Sequence, residues 1–178
     1  MKNTFLKTHT LGLTVAAVLA TGSFCSTSYA AEKTTAIHIS ATVAATCNIT
    51  VSPIQFGELT TINPYHANTA TGYVAADCNM GTQGEIGLSS GDHGITTGNW
   101  GDVRRMVSDS NSNQYVIYQL TSDAGGSNRW GLVGSSESQK FVSLGSTITI
   151  PIYASTIDFQ DGLGAGTFSD TVIATIAY

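Results

Sequence analysis

Gly87-Leu88-Ser89-Ser90-Gly91 satisfies the G-x-S-x-G pattern of a nucleophile elbow, and Asp92 and His93 follow at once, so serine-hydrolase chemistry is the first to weigh. In such an elbow the serine sits on a sharp turn between a strand and a helix, and its acid and histidine arrive from other parts of the chain. Here Asp92 and His93 fall in the same Gly-rich turn as the serine, and no helical pattern follows. Ser89 therefore reads as a turn residue, and no catalytic residue is expected. Asp109-Ser110-Asn111-Ser112-Asn113 imitates the start of a calcium loop. Gln114, however, stands where the tight-turn glycine belongs and Leu120 where the bidentate glutamate belongs, so a hairpin turn is the better reading.

The other chemistry-bearing residues are equally poor in pattern. Gly162, Gly164 and Gly166 form a G-x-G-x-G run outside any βαβ context, which makes it a loop rather than a nucleotide cradle. His38, His66 and His93 show no ligand spacing, so neither a metal nor a cofactor is expected. Trp100 and Trp130 could stack on sugar rings, although a core role suits Trp130 better. Cys47 and Cys78 lack C-x-x-C spacing and histidine partners, which argues against redox or metal chemistry. In an oxidising compartment they are expected to close one structural disulfide.

That compartment is indicated by the first residues. Lys2 and Lys7 precede an apolar stretch over residues 11–20, and Ser28-Tyr29-Ala30 is an A-x-A-like cleavage site, so residues 1–30 read as a signal peptide. The apolar run is about half of the ~20 residues that span a bilayer. Removing this segment deletes two cations from a chain of formal charge −5, giving −7, which disfavours nucleic acid as a partner. Residues 31–178 have the length of one domain with a real core.

The elements that would position these residues are short strands. Only 11% of the residues are charged, and Thr, Ser, Asn and Gly supply most polar positions, as in chains of many strands and tight turns. Over residues 36–44, Ile37, Ile39, Ala41 and Val43 alternate with His38, Ser40, Thr42 and Ala44, the period of a strand with one apolar face. Further strands are expected at residues 49–51, 73–78, 85–89, 105–107, 114–120, 141–144 and 147–153. The final stretch, 171–178, places Val172, Ala174, Ile176 and Tyr178 on one face. Both termini thus read as strands, whose edges must be either paired or purposely left free.

A series of short motifs runs along the chain: the alternating strand leading to Cys47, Gln55-Phe56-Gly57, Tyr73-Val74-Ala75-Ala76-Asp77-Cys78 and the Gly87 to Gly91 stretch. Arg105-Met106, Tyr115-Val116-Ile117-Tyr118, Arg129-Trp130-Gly131, Pro151-Ile152-Tyr153 and the Gly166 to Val172 ending continue the series. In this order they resemble the spore coat protein U family, whose members include subunits of archaic chaperone-usher pili. The resemblance implies an all-β, incomplete immunoglobulin-like sandwich completed by a donor strand. It implies a donor at residues 31–44, with Ile37, Ile39, Ala41 and Val43 facing a neighbour, and a pilin domain at 45–178. The acceptor groove would run along Val172, Ala174, Ile176 and Tyr178. It further implies a periplasmic pilus chaperone, an outer-membrane usher and other pilus subunits as partners, with the fibre displayed at the cell surface for attachment and biofilm formation. The alternative from another class is a monomeric secreted sandwich that binds sugar or protein.

Overall fold

The computed structural model describes residues 30–59, 67–97, 101–157 and 162–178. Residues 1–29, where a signal peptide is expected, and His66 and Trp100 lie outside the described residues. The chain divides into two units, Met1–Ala41 and Thr42–Tyr178. In the first, residues 30–41 are exposed and carry no strand. Residues 42–46, which open the second unit, are likewise exposed and without a strand. The strand expected at 36–44 is therefore not formed, because alternation supplies an apolar face but no hydrogen-bonding partner. Ile37, Ile39 and Val43 are 83%, 92% and 82% exposed.

The second unit contains ten strands and no helix among the described residues. They are β1 (Cys47–Val51), β2 (Thr69–Cys78), β3 (Gln83–Leu88), β4 (Ile95–Thr97), β5 (Gly101–Ser108), β6 (Tyr115–Thr121), β7 (Gln139–Val142), β8 (Ile148–Thr156), β9 (Phe168–Ser169) and β10 (Ala174–Ala177). One sheet runs in the order β1-β2-β8-β6-β5-β4, with β9 also paired to β5, and the other runs β10-β3-β7. Every pairing is antiparallel.

Period-two alternation sets the buried faces. Val74, Ala76 and Cys78 of β2 point inward, as do Tyr118 and Leu120 of β6 and Ile152 and Ala154 of β8. They meet Ile86 and Leu88 of β3, which places the core between the two sheets. Pro151 lies within β8, opposite Tyr73 of β2, but β6 covers only Tyr153–Thr156 on the other side. A residue without an N–H is tolerated there because one edge of β8 needs no donor at that point.

Trp130 joins the layers. It is fully buried, and its indole N–H donates to the Ile86 carbonyl at 2.9 Å while its backbone N–H donates to Leu120 O at 2.9 Å. A sugar-stacking role for this ring is thereby replaced by a core one. Cys47 and Cys78 form a disulfide at the end of the β1–β2 ladder, where they are also cross-strand partners. The turn between β5 and β6 is closed by Ser108 N to Gln114 O at 3.0 Å and Gln114 N to Asn111 O at 2.9 Å, so the acidic-polar run is a hairpin. Among the described residues no cluster of three or more His, Cys, Asp or Glu could hold a metal, and no helix is long and apolar enough to cross a membrane.

Candidate functional site

After β1 the chain leaves the ladder. Ser52 donates its N–H to Tyr73 O at 3.0 Å and receives the Tyr73 N–H on its hydroxyl at 2.8 Å, which holds residues 52–56 alongside β2. Gly72 makes this approach possible, because a Cβ there would lie 2.7 Å from Ile54 Cγ1. Pro53 cannot donate to a ladder, and Ile54 and Phe56 turn toward the core at the next inward positions.

At the opposite wall, β10 pairs with β3 on one side and forms the edge of its sheet. Just before it, Ile173 N donates to the Ser89 hydroxyl at 2.9 Å, while Ser89 N donates to Ile173 O at 2.9 Å. A side-chain oxygen here replaces a ladder carbonyl, so the continuous strand expected over 171–178 is shorter than its alternation suggests.

Between these walls lies an apolar groove of about 580 Å³. Val51, Ile54 and Phe56 line one side, Val172 and Ala174 the other, and Leu88, Met106, Tyr118, Leu120 and Ile152 reach into it from the core. It adjoins a second cleft of about 670 Å³ that shares Ile54, Phe56, Met106 and Phe168 and extends toward Leu59 and Leu163. Half-buried Ile54, Phe56, Met106, Val172 and Ala174 form the groove surface.

The four acceptor residues named from the sequence do not share one environment. Val172 and Ala174 line the groove. Ile176 packs half-buried against the core without lining it, and Tyr178 is 57% exposed. Ile37, Ile39 and Val43 are exposed, as is Ala41.

One end of the groove carries a polar knot. The Asp170 side chain is only 2% exposed and accepts three hydrogen bonds: from Tyr118 OH at 2.6 Å, from His93 N at 3.1 Å and from His93 Nδ1 at 3.2 Å. Burial pushes the Tyr118 phenol far above its ordinary pKa, the hydrogen bond to Asp170 and that group's negative charge adding to the effect and Arg104 opposing it. Gly91 has φ of 87°, and a Cβ on it would fall 2.1 Å from Asp170 Oδ2, so only glycine fits. The hydrolase-like motif ends in this knot. Its serine hydroxyl accepts amide protons from Ile173 and, at 3.3 Å, from Gly91, and no hydrogen bond joins Ser89 to His93 among the described residues.

Several groove residues were not singled out from the sequence. The alternation of Ser52, Ile54 and Phe56 was a usable signal, obscured by Pro53. The pairing of His93 with Asp170, 77 positions apart, had no local signal.

A chain of the CsuC–CsuE chaperone–tip adhesion subunit pre-assembly complex, from archaic chaperone-usher Csu pili of Acinetobacter baumannii, is similar in fold. The TM-score is 0.56 at 18% identity over 77% of this chain, which spans 41% of the matched chain's length. A chaperone–tip adhesin complex of CFA/I fimbriae biogenesis matches at a TM-score of 0.34 and 11% identity over 62% of this chain and 34% of that one, too loose to carry an argument. No curated protein matches the chain. The two antiparallel sheets are an immunoglobulin-like arrangement of the kind found in chaperone-usher pilus subunits. The spore coat protein U domain matches residues 33–175, and the chain belongs to that family.

Proposed function

We propose that this protein is a structural pilus subunit, assembled by a chaperone-usher pathway through donor-strand exchange. In this reading residues 1–30 are removed as a signal peptide, 31–44 are the donor strand, and 45–178 are the pilin domain. A periplasmic chaperone holds the groove during export, an outer-membrane usher passes the subunit on, and the donor of the next subunit takes the chaperone's place. The fibre stands on the cell surface and supports attachment and biofilm formation. Catalysis has no part in it.

The observation that carries this reading is a complementary pair within one chain. An apolar groove lies beside the edge of β10 that pairs with no strand among the described residues, and an exposed segment with Ile37, Ile39, Ala41 and Val43 at every second position precedes β1. Strand addition requires both a free backbone edge and a row of alternate side chains. The groove is walled by Val172 and Ala174, and Ile176 continues the strand beside it.

The test is electrophoresis in SDS of material sheared from the cell surface, unheated and heated, for the wild type and a variant lacking residues 36–43. An SDS-resistant ladder that collapses to monomer on heating, and is lost in the deletion, is the expected result. Soluble monomer in every lane, with the deletion equally well behaved, would overturn the reading in favour of a self-complete binding module.

A further inference from the structure

The groove and donor account for one contact between subunits, but the chain leading out of the donor implies a second. Only Ala44, Ala45 and Thr46 separate Val43 from Cys47, where β1 begins. Thr46 is held by its own domain: its N–H donates to Asn79 Oδ1 at 2.9 Å, its hydroxyl bonds to the same oxygen, and its carbonyl accepts the Asn79 N–H at 3.2 Å. The two alanines left between this clamp and the donor reach at most ~10 Å. A domain of this size has a radius of gyration of about 14 Å. The donating domain must therefore rest against the domain that receives its strand.

The part of the surface brought there is apolar. Met80, in the β2–β3 turn, and Leu144, just past β7, are 77% and 76% exposed. They belong to one pole: Gly81 N donates to Ser143 O at 2.8 Å, the Ser143 hydroxyl donates to Cys78 O at 2.8 Å, and a Cβ on Gly145 would lie 3.3 Å from Met80 Cβ. Val142 shares the outward face of Leu144 by period-two alternation and is also exposed. This is the same pole as the disulfide and the Asn79 clamp.

Resting on the donor-strand reading above, we propose that Met80 and Leu144 form a lateral contact with the next copy of this chain in the fibre, and that this contact fixes the angle between successive domains. Every strand pair in the sheets is antiparallel. A donor that continues that pattern against β10 leaves Val43 at the Val172 end of the groove. Beside that end the chain exposes Ile173 on the face away from the core, giving the contact an apolar counterpart. The two patches are different surfaces of one molecule, as a head-to-tail polymer requires.

The test uses whole fibres carrying a benzophenone amino acid at position 144. Irradiation, then heating in SDS to dissolve strand-exchanged contacts, is expected to leave a covalent dimer linked to the neighbourhood of Ile173. In parallel, Met80→Ser/Leu144→Ser fibres should keep their unheated ladder while showing a wider spread of bend angles by electron microscopy. Monomer alone after irradiation and heating, or bend angles equal to the wild type, would overturn the lateral contact while leaving strand exchange intact. A wild type that forms no ladder would overturn both.

Discussion

Replacing Ile39 with Asp tests the side-chain logic of the donor segment. Ile39 is 92% exposed in the subunit, and in the donor-strand reading its burial comes from a second chain. Transfer of Ile37, Ile39 and Val43 from water into an apolar groove contributes roughly 5–9 kcal/mol, of which Ile39 supplies about 1.5–3. An aspartate forfeits that share and adds the desolvation of a carboxylate, which is several kcal/mol for a buried ion. The two changes together remove most of the side-chain drive for exchange. Ser40→Asp places the same charge one residue along, on the opposite face of the strand, where it remains in water. The assay is the SDS ladder from equal amounts of sheared material. Ile39→Asp is expected to abolish the ladder and Ser40→Asp to retain it. Equal ladders in the two variants, or equal loss, would refute the assignment of faces.

The remaining expectations concern the walls of the groove. Cys47→Ser/Cys78→Ser removes a bridge between positions 31 apart and with it about 3–4 kcal/mol of unfolded-state constraint, so the temperature at which the SDS ladder collapses should fall. Gly91→Ala forces a side chain into a positive-φ position against Asp170 and should sharply reduce surface polymer. Gly134→Ala, also at positive φ but with nothing within 4 Å, should lose only the ~1–2 kcal/mol of stability that backbone strain costs. For Tyr118 the pKa is raised on folding, so the protonated phenol is the form the fold favours. Its stabilisation is complete below the ordinary phenol value near ~10 and declines as pH rises above it. Collapse temperature measured across that range should fall less steeply in Tyr118→Phe than in the wild type.

How much of this was legible in the sequence depended on whether the signal was local. Val74, Ala76 and Cys78 alternate within one strand, and their burial follows from period two alone. The apolar row at Ile37, Ile39, Ala41 and Val43 was equally plain, but alternation carries no information about a partner, and residues 36–44 form no strand. Val172, Ala174 and Ile176 were legible as an inward row, whereas the exposure of Tyr178 was not, since it depends on the β10–β3 pairing ending at Ala177. Pro53 reads as the end of a strand. In three dimensions it is part of a wall, because Ser52 and Gly72 hold the irregular segment against β2. The Asp170 knot unites residues from three separate stretches of chain and could not be inferred from any one of them.

That knot bears on how an open groove persists. An apolar cleft between two sheets tends to close, since its lining gains dispersion contacts and loses water by doing so. The walls here are held by interactions that do not depend on what lies in the cleft. The disulfide fastens β1 to β2, the Ser52–Tyr73 pair fastens the segment after it, and Asp170 fastens the turn before β10 to Tyr118 and to the loop at His93. Trp130 bridges the sheets behind them through Ile86 and Leu120. These bonds have fixed directions and keep the groove's shape, while apolar burial at Val172, Ala174, Ile54 and Phe56 is left to an occupant. An occupant that binds only this folded shape stabilises it by mass action, so folding and assembly become one equilibrium. Loosening the polar frame should therefore weaken the fibre even where no substituted residue touches the donor.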